Sequence, residues 1–377
     1  MKQTIIADRV FDGQRFHTDL AITFEDGHIL SFDTAHGASE SRVSGLIVPG
    51  FIDVQVNGGG GVLFNSSPSV EGIEAIGKAH AKFGTTAYLP TLITDDVDVM
   101  RQAADAVALA VKSNSAGVVG VHFEGPHLSV PKKGVHPQSY IRRISDAELA
   151  VFSRQDLGIK VVTLAPENVS PEVIEALVKV GVKVCLGHSN ADYDTVKKAL
   201  AAGATGFTHL YNAMSALDSR SPGMVGAALE STDAWCGLIV DGHHVHPASA
   251  RVAINAKPKG KVMLVTDAMP PVGLDDEASF ELFGTQVIRA GDRLNAVTGE
   301  LAGCVLDMAG AVANTVNMLG LAPEEALRMA SLYPAQFLGL SDKMGQLQVG
   351  GRADMLLLDD RFRVQQTYIG GELAFKS

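Results

Sequence analysis

The chain has 377 residues, 46% hydrophobic and 19% charged, which is enough to bury a large core and too apolar for a disordered segment. Its 31 Lys and Arg against 42 Asp and Glu give a formal net charge of -11, so most of the surface repels polyanions: no nucleic-acid partner is expected, and an anionic small molecule needs a local basic pocket. Three scattered cysteines without a CxxC pair, no apolar leader in MKQTIIADRV and no apolar run of about 18 residues place the expected protein in the reducing cytoplasm, without a membrane partner.

The first 48 residues read as short strands: Thr4 to Ala7, Asp19 to Thr23, a turn at Asp26-Gly27, then His28 to Phe32. Pro49-Gly50 then opens a different rhythm, in which apolar β-rich runs alternate with stretches of helical period. The runs are Phe51 to Val56, Thr86 to Leu92, Val118 to Phe123, Lys160 to Leu164, Val182 to Leu186, Ala204 to Thr208, Trp235 to Val240 and Lys261 to Thr266. Between them, apolar residues recur three or four apart at Val70, Ile73, Ile76, Ala79 and Phe83; Ser170 is predicted to cap a helix starting at Pro171, and Gly181 and Gly203 to end helices. Eight parallel strands with helical crossovers specify a (β/α)₈ TIM-like barrel over residues 49–342. A β-like insertion from Phe280 to Leu294 and helices Met308 to Leu319 and Pro323 to Leu332 follow the eighth strand. The Gly-rich tail from 343 to 377 returns to strands and is expected to join residues 1–48 in a small discontinuous β-sandwich domain.

Barrel active sites lie at the C-terminal ends of the strands. Five runs end there in titratable residues: His122-Phe123-Glu124, His188, His209, Asp241 with His243-His244, and Asp267. A single histidine in such a place is more often a hydrogen-bonded core or rim residue, but five strand ends together point to chemistry. Glu124, His188 and His209 supply a His₂Glu donor set for one divalent metal per chain, with zinc the first expectation and iron or another first-row ion the alternative. Asp267 suits proton transfer, or else caps the loop that follows it. The first strand reads Asp53-Val54-Gln55-Val56-Asn57, and its amides are poor metal ligands, which argues against a second metal.

PGFIDVQVNG from Pro49, HFEGPH from His122, KKGVHP from Lys132, LGHSNA from Leu186, THLYNAM from Thr208, DGHHV from Asp241, LVTDAM from Leu264, LAG from Leu301 and GQLQVGGRADMLLLD from Gly345 together resemble the amidohydrolase superfamily, and within it the N-acetylglucosamine-6-phosphate deacetylase family. The resemblance implies a metal-dependent hydrolase that removes the acetyl group from a sugar phosphate in amino sugar catabolism. It makes Glu124, His188 and His209 metal ligands, Asp267 the acid/base and His136 an aid to the acetamide carbonyl. Val135, Asn212, Ala213, Leu301, Ala302 and Gly303 would line the substrate pocket. Arg220 and His244 would hold the phosphate, reaching it from the neighbouring subunit of a homodimer; Arg220 stands in Arg-Ser-Pro-Gly where the family usually has Arg-Glu-Pro-Gly. Two alternatives remain at this stage: the C4 epimer N-acetylgalactosamine 6-phosphate as substrate, and a metal-free scaffold protein. Lys132-Lys133, His243 and His246 read as ordinary exposed or rim residues.

Overall fold

The computed structural model describes residues 2–34, 41–115, 117–274, 278–297, 299 and 301–377. The chain opens with β1 (Gln3–Phe11), β2 (Phe16–Glu25), β3 (His28–Thr34) and β4 (Ser41–Pro49). Asp26 and Gly27 both take positive φ, 48° and 82°, which a two-residue hairpin loop requires, and they set the register Glu25 opposite His28.

From Phe51 the chain alternates strand and helix. The elements are β5 (Phe51–Val56), the short hairpin β6 (Gly58–Gly59) and β7 (Val62–Leu63), α1 (Val70–Ala81), β8 (Thr85–Ile93), α2 (Val97–Lys112), β9 (Gly120–Glu124), α3 (Asp146–Phe152), β10 (Ile159–Leu164), α4 (Pro171–Lys179), β11 (Val182–Leu186), α5 (Tyr193–Ala201), β12 (Gly206–Phe207), α6 (Gly223–Glu230), β13 (Trp235–Leu238), α7 (Pro247–Ala256) and β14 (Val262–Leu264). β5, β8 and β9 to β14 form one eight-stranded parallel sheet in sequence order. The predicted eight strands are all present. The sixth is trimmed to two residues because the backbone turns away at His209, where φ is 33°.

Closure between the last and first strands runs through side chains and a few backbone bonds. Thr266 Oγ1 donates to Asp53 Oδ2 at 2.5 Å, the Asp267 N–H to the Gln55 carbonyl at 3.1 Å, and the Asn57 N–H to the Ala268 carbonyl at 2.9 Å. Helix residues such as Ile73, Ile76, Val107 and Ile174 are fully buried against Phe123, Val162 and Val184 of the strands, the arrangement their helical spacing calls for. Ser170 stands at the N-cap of α4, but its hydroxyl caps no backbone N–H; Pro171 in the first turn starts that helix.

After β14 the insertion forms its own antiparallel sheet, β15 (Ser279–Leu282), β16 (Thr285–Ala290), β17 (Arg293–Ala296) and β18 (Leu301–Cys304). Its inner residues Leu282, Val287 and Leu294 pack with Leu63, Ile93 and Met269 beside the mouth of the barrel. Then come α8 (Met308–Asn317), α9 (Pro323–Ala330) and α10 (Leu332–Leu338), followed by β19 (Met355–Leu358), β20 (Val364–Ile369) and β21 (Glu372–Lys376). The helix expected over Pro323 to Leu332 ends at Ala330; beyond a break at Ser331, where φ and ψ are -131° and -72°, follows α10, which the sequence reading did not include. Pro334 explains the break, since its ring would strike the Ala330 carbonyl of a continuous helix.

The terminal strands form one seven-stranded sheet, β21-β20-β19-β4-β1-β2-β3, in which β4 and β19 pair antiparallel with Pro49 opposite Met355. The sandwich is this single sheet curled on itself. Phe24 of β2 meets Tyr368 of β20 edge to face at 6.2 Å although three strands separate them in the sheet, and Ile5, Ile22, Ile29, Ile47 and Met355 share one core.

Candidate active site

The sequence places its best metal donors at or just past the ends of three barrel strands, and the fold brings them together. Glu124 ends β9, while His188 and His209 stand two residues beyond β11 and β12. Glu124 Oε1 lies 3.2 Å from His188 Nε2 and 3.0 Å from His209 Nε2, and the two imidazole nitrogens are 3.0 Å apart. All three side chains are buried. His188 Nδ1 is 2.8 Å from the Lys132 carbonyl, so this nitrogen is the donor and Nε2 turns toward Glu124.

The carboxylates are tuned in opposite directions. Burial opposes charge on Glu124, but hydrogen bonds and charge from His188 and His209 outweigh it and hold the carboxyl well below its usual range. Asp267 is raised, first by burial and then by the charge of Glu124. Gln55 Nε2 donates to both Glu124 oxygens at 3.2 and 3.3 Å and to Asp267 Oδ1 at 3.0 Å, and Asn57 Nδ2 donates to the same Asp267 oxygen at 2.6 Å. These two amides were read in the sequence only as poor ligands. Their burial at the end of the first strand, facing the other strand ends, is the signal that could have marked them as the groups that hold the carboxylates.

His188, His209 and Asp267 have φ of 46°, 33° and 52°, a region costing a non-glycine residue about 1–3 kcal/mol. The barrel over-determines those conformations and so fixes where the side chains point.

A cavity of about 180 Å³ opens above the three donors. Val135, His136, Asn212, Ala213, His244, Leu301 and Gly303, each singled out in the sequence, line it together with Asp267. Ile93 and Met269 add apolar wall that the sequence reading missed. Ala302 is wholly buried behind the wall, packed in the core of the insertion, and does not face the cavity. His244 lines the cavity of its own chain. Arg220 is exposed and outside the cavity, so of the two expected phosphate ligands it is the one that this chain does not bring to the site.

His136 is buried with Nδ1 2.8 Å from the Thr94 hydroxyl and 3.4 Å from the Thr94 N–H, and burial followed by the charge of His188 pushes its imidazole down to about 3. His122 belongs to the layer beneath: its Nε2 is 2.7 Å from Thr163 Oγ1, and burial pushes it down to about 4. His246 accepts the Ala248 N–H at the start of α7, and His243 pairs with Asp292 at 3.0 Å, so both are rim residues.

Asp241, His244 and Cys304 form a second close set of donor types. Its contacts are those of a hydrogen-bond network. Burial, then the negative charge of Asp241, raises the Cys304 thiol well above its usual range, so Sγ keeps its proton and donates to Asp241 Oδ2 at 3.3 Å. A larger cavity of about 660 Å³ lies on the terminal sheet around Asp26, His28 and Arg352, and it gathers no comparable donor set among the described residues.

The amidohydrolase family profile matches residues 46–374. N-acetylgalactosamine-6-phosphate deacetylase of Shewanella sp. (strain ANA-3) is 52% identical over 334 residues, covering 89% of this chain and 84% of that protein. N-acetylglucosamine-6-phosphate deacetylase of Bos taurus is 40% identical, covering 93% of this chain and 89% of that protein. The crystal structure of N-acetylglucosamine-6-phosphate deacetylase from Pasteurella multocida superposes over the whole of both chains with a TM-score of 0.95 at 34% identity.

Proposed function

The chain belongs to the amidohydrolase family, and from that premise we propose that it hydrolyses the acetamide of N-acetyl-D-glucosamine 6-phosphate to glucosamine 6-phosphate and acetate. The observation that carries this reading is the convergence of three metal-type donors within 3.0–3.2 Å of one another beneath a cavity that also holds Asp267 and His136.

The donor set fits a metal on chemical grounds. With His188 Nδ1 turned to the Lys132 carbonyl, Nε2 is the nitrogen that faces Glu124, so two imidazole nitrogens and a carboxylate oxygen converge in a donor set that suits a divalent cation. Glu124, His188 and His209 would hold one divalent ion, zinc first by donor type. When bound, such an ion acidifies water at its open position and polarises the amide carbonyl.

The remaining work falls to the chain. Asp267 Oδ1 accepts both Gln55 and Asn57, which leaves Oδ2 to take a proton from the attacking water and return it to the departing amine. Its raised proton affinity suits a group that must hold that proton between the two steps. His136 stays neutral; with Nδ1 accepting from Thr94, its proton sits on Nε2 and can be donated to the oxygen that gains charge as the carbonyl becomes tetrahedral. Val135, Asn212, Ala213, Leu301 and Gly303 shape the sugar pocket, and His244 supplies a polar group for the 6-phosphate. Arg220, exposed on its loop, completes the phosphate clamp of the partner in a homodimer.

The 52% identical relative supports a second reading, N-acetylgalactosamine 6-phosphate as the preferred substrate. Acetate release from the two epimers, compared as kcat/KM with metal-loaded protein, decides between them. Release from neither would overturn the deacetylase reading.

A further inference from the structure

Asp241 stands in the loop after β13 and is almost fully buried, with its side chain 5% exposed and that of His244 8% exposed. Four donors converge on its carboxylate. The backbone N–H groups of His243 and His244 both reach Oδ1 at 2.9 Å, a local turn that folds the loop over its own carboxylate. His244 Nδ1 and Cys304 Sγ reach Oδ2 at 2.6 and 3.3 Å.

Two consequences follow from that geometry. The His244 ring is fixed with Nδ1 turned inward, so Nε2 is the nitrogen left for the cavity, which His244 lines. Cys304 ends the strand carrying Leu301 and Gly303, so one carboxylate also ties this wall of the pocket to the loop holding His244. Burial opposes the charge on Asp241, but His244 and the two backbone donors hold its carboxyl well below the usual range. His244 is the cation-capable side chain in contact with this buried carboxylate among the described residues. Facing the same ring are the neutral Cys304 thiol and, electrostatically, Asp267.

We propose that Asp241 is a positioning residue for substrate recognition: it holds His244 with Nδ1–H inward and Nε2–H toward the 6-phosphate, and its charge lets the ring carry the positive charge that selects a phosphate dianion over a less charged group of the same shape. This rests on the sugar-phosphate reading above and adds to it the residue that makes the recognition depend on charge. Asn at position 241 would keep the shape but could donate its amide to His244 Nδ1, leaving a neutral ring at the pocket.

The test uses metal-loaded wild type and Asp241→Asn, and two probes that carry no amide: glucose 6-phosphate and glucose 6-sulfate, alike in shape but different in charge. Binding is read by calorimetry. Wild type should prefer the phosphate by about tenfold or more, and the variant should bind the two within about threefold of each other, as expected when a charge-assisted hydrogen bond becomes a neutral one. An unchanged preference in a folded variant overturns the proposal. Acetate release from the N-acetylated 6-phosphates, measured alongside, reports separately on the deacetylase reading. Loss of preference without any acetate release would leave the pair standing and remove that reading; acetate release with an unchanged preference would do the reverse. Should Asp241→Asn fail to fold, nitrogen-15 spectra of His244 in wild type saturated with glucose 6-phosphate serve instead. Protons on both ring nitrogens support the pair, and a bare Nε2 overturns it.

Discussion

Asn57 Nδ2 stands 2.6 Å from Asp267 Oδ1, so the first strand of the barrel aims the carboxylate of the last. Asn57→Ala should leave the metal in place and slow turnover by about tenfold or more, because Asp267 keeps its chemistry but loses one of the two amides that orient it. Elemental analysis alongside steady-state kinetics checks this; near-normal turnover would mean that Gln55 alone suffices.

Asp267→Asn preserves shape and both neighbouring contacts' reach while removing the basic oxygen. Turnover should fall by about 10²-fold or more with metal stoichiometry unchanged. A variant that turns over normally would assign the proton transfer elsewhere.

Removing the metal should abolish acetate release and lower the melting temperature, since Glu124, His188 and His209 are then left crowded at 3.0–3.2 Å without a cation. Titrating zinc back should restore both at about one ion per chain. Two ions per chain, both needed for activity, would contradict the site as described, in which Gln55 and Asn57 occupy the first-strand positions.

Glu148 gives the fold an acid-sensitive clasp. It accepts Arg142 Nε at 2.6 Å and the Ser145 N–H at 2.9 Å, and although burial opposes its charge, the bonds from Ser145 and Arg142 lower its carboxyl to about 2. A depressed carboxyl stabilises the fold above its unfolded value, here 4.5, and that contribution disappears as the pH falls from there toward 2. Glu148→Gln should therefore lower the melting temperature of metal-free protein at pH 6 and flatten its decline between pH 4.5 and 2. Arg142 also holds the Asp95 and Tyr140 carbonyls, each at 2.8 Å, so the loop carrying His136 should loosen as well.

Arg220 offers a complementation test. Asp267→Asn and Arg220→Ala should each be weak alone, yet mixing them under subunit exchange should raise activity well above the sum of the parents. In the hybrid, the Arg220→Ala chain keeps its own Asp267 and borrows its partner's guanidinium. No gain after proven exchange would return Arg220 to its own chain or to the solvent.

The strands, their parallel order and the three metal-type donors were legible because each leaves a local mark: an apolar run, a helical period, a titratable residue at a strand end. Asp53 left no such mark. Its bonds to Thr266 close the barrel across more than two hundred residues, and nothing near either residue announces the pairing. α10, which begins where the expected helix was taken to end, was missed although Pro334 in its first turn is compatible with a helix start there. That His244 lines the cavity of its own chain depends on how the loop after β13 is held, and that is decided by Asp241 and Cys304 rather than by the spacing of histidines.

The pairing of β4 with β19 joins a strand made early to one made almost last. On the ribosome, Glu124, His188, His209 and Asp267 all emerge well before Met355, so the backbone edge of β4 stays unpaired until its final partner is made. Chains cut short anywhere before residue 355 should therefore be sticky and open to proteases even when all the reactive side chains are present.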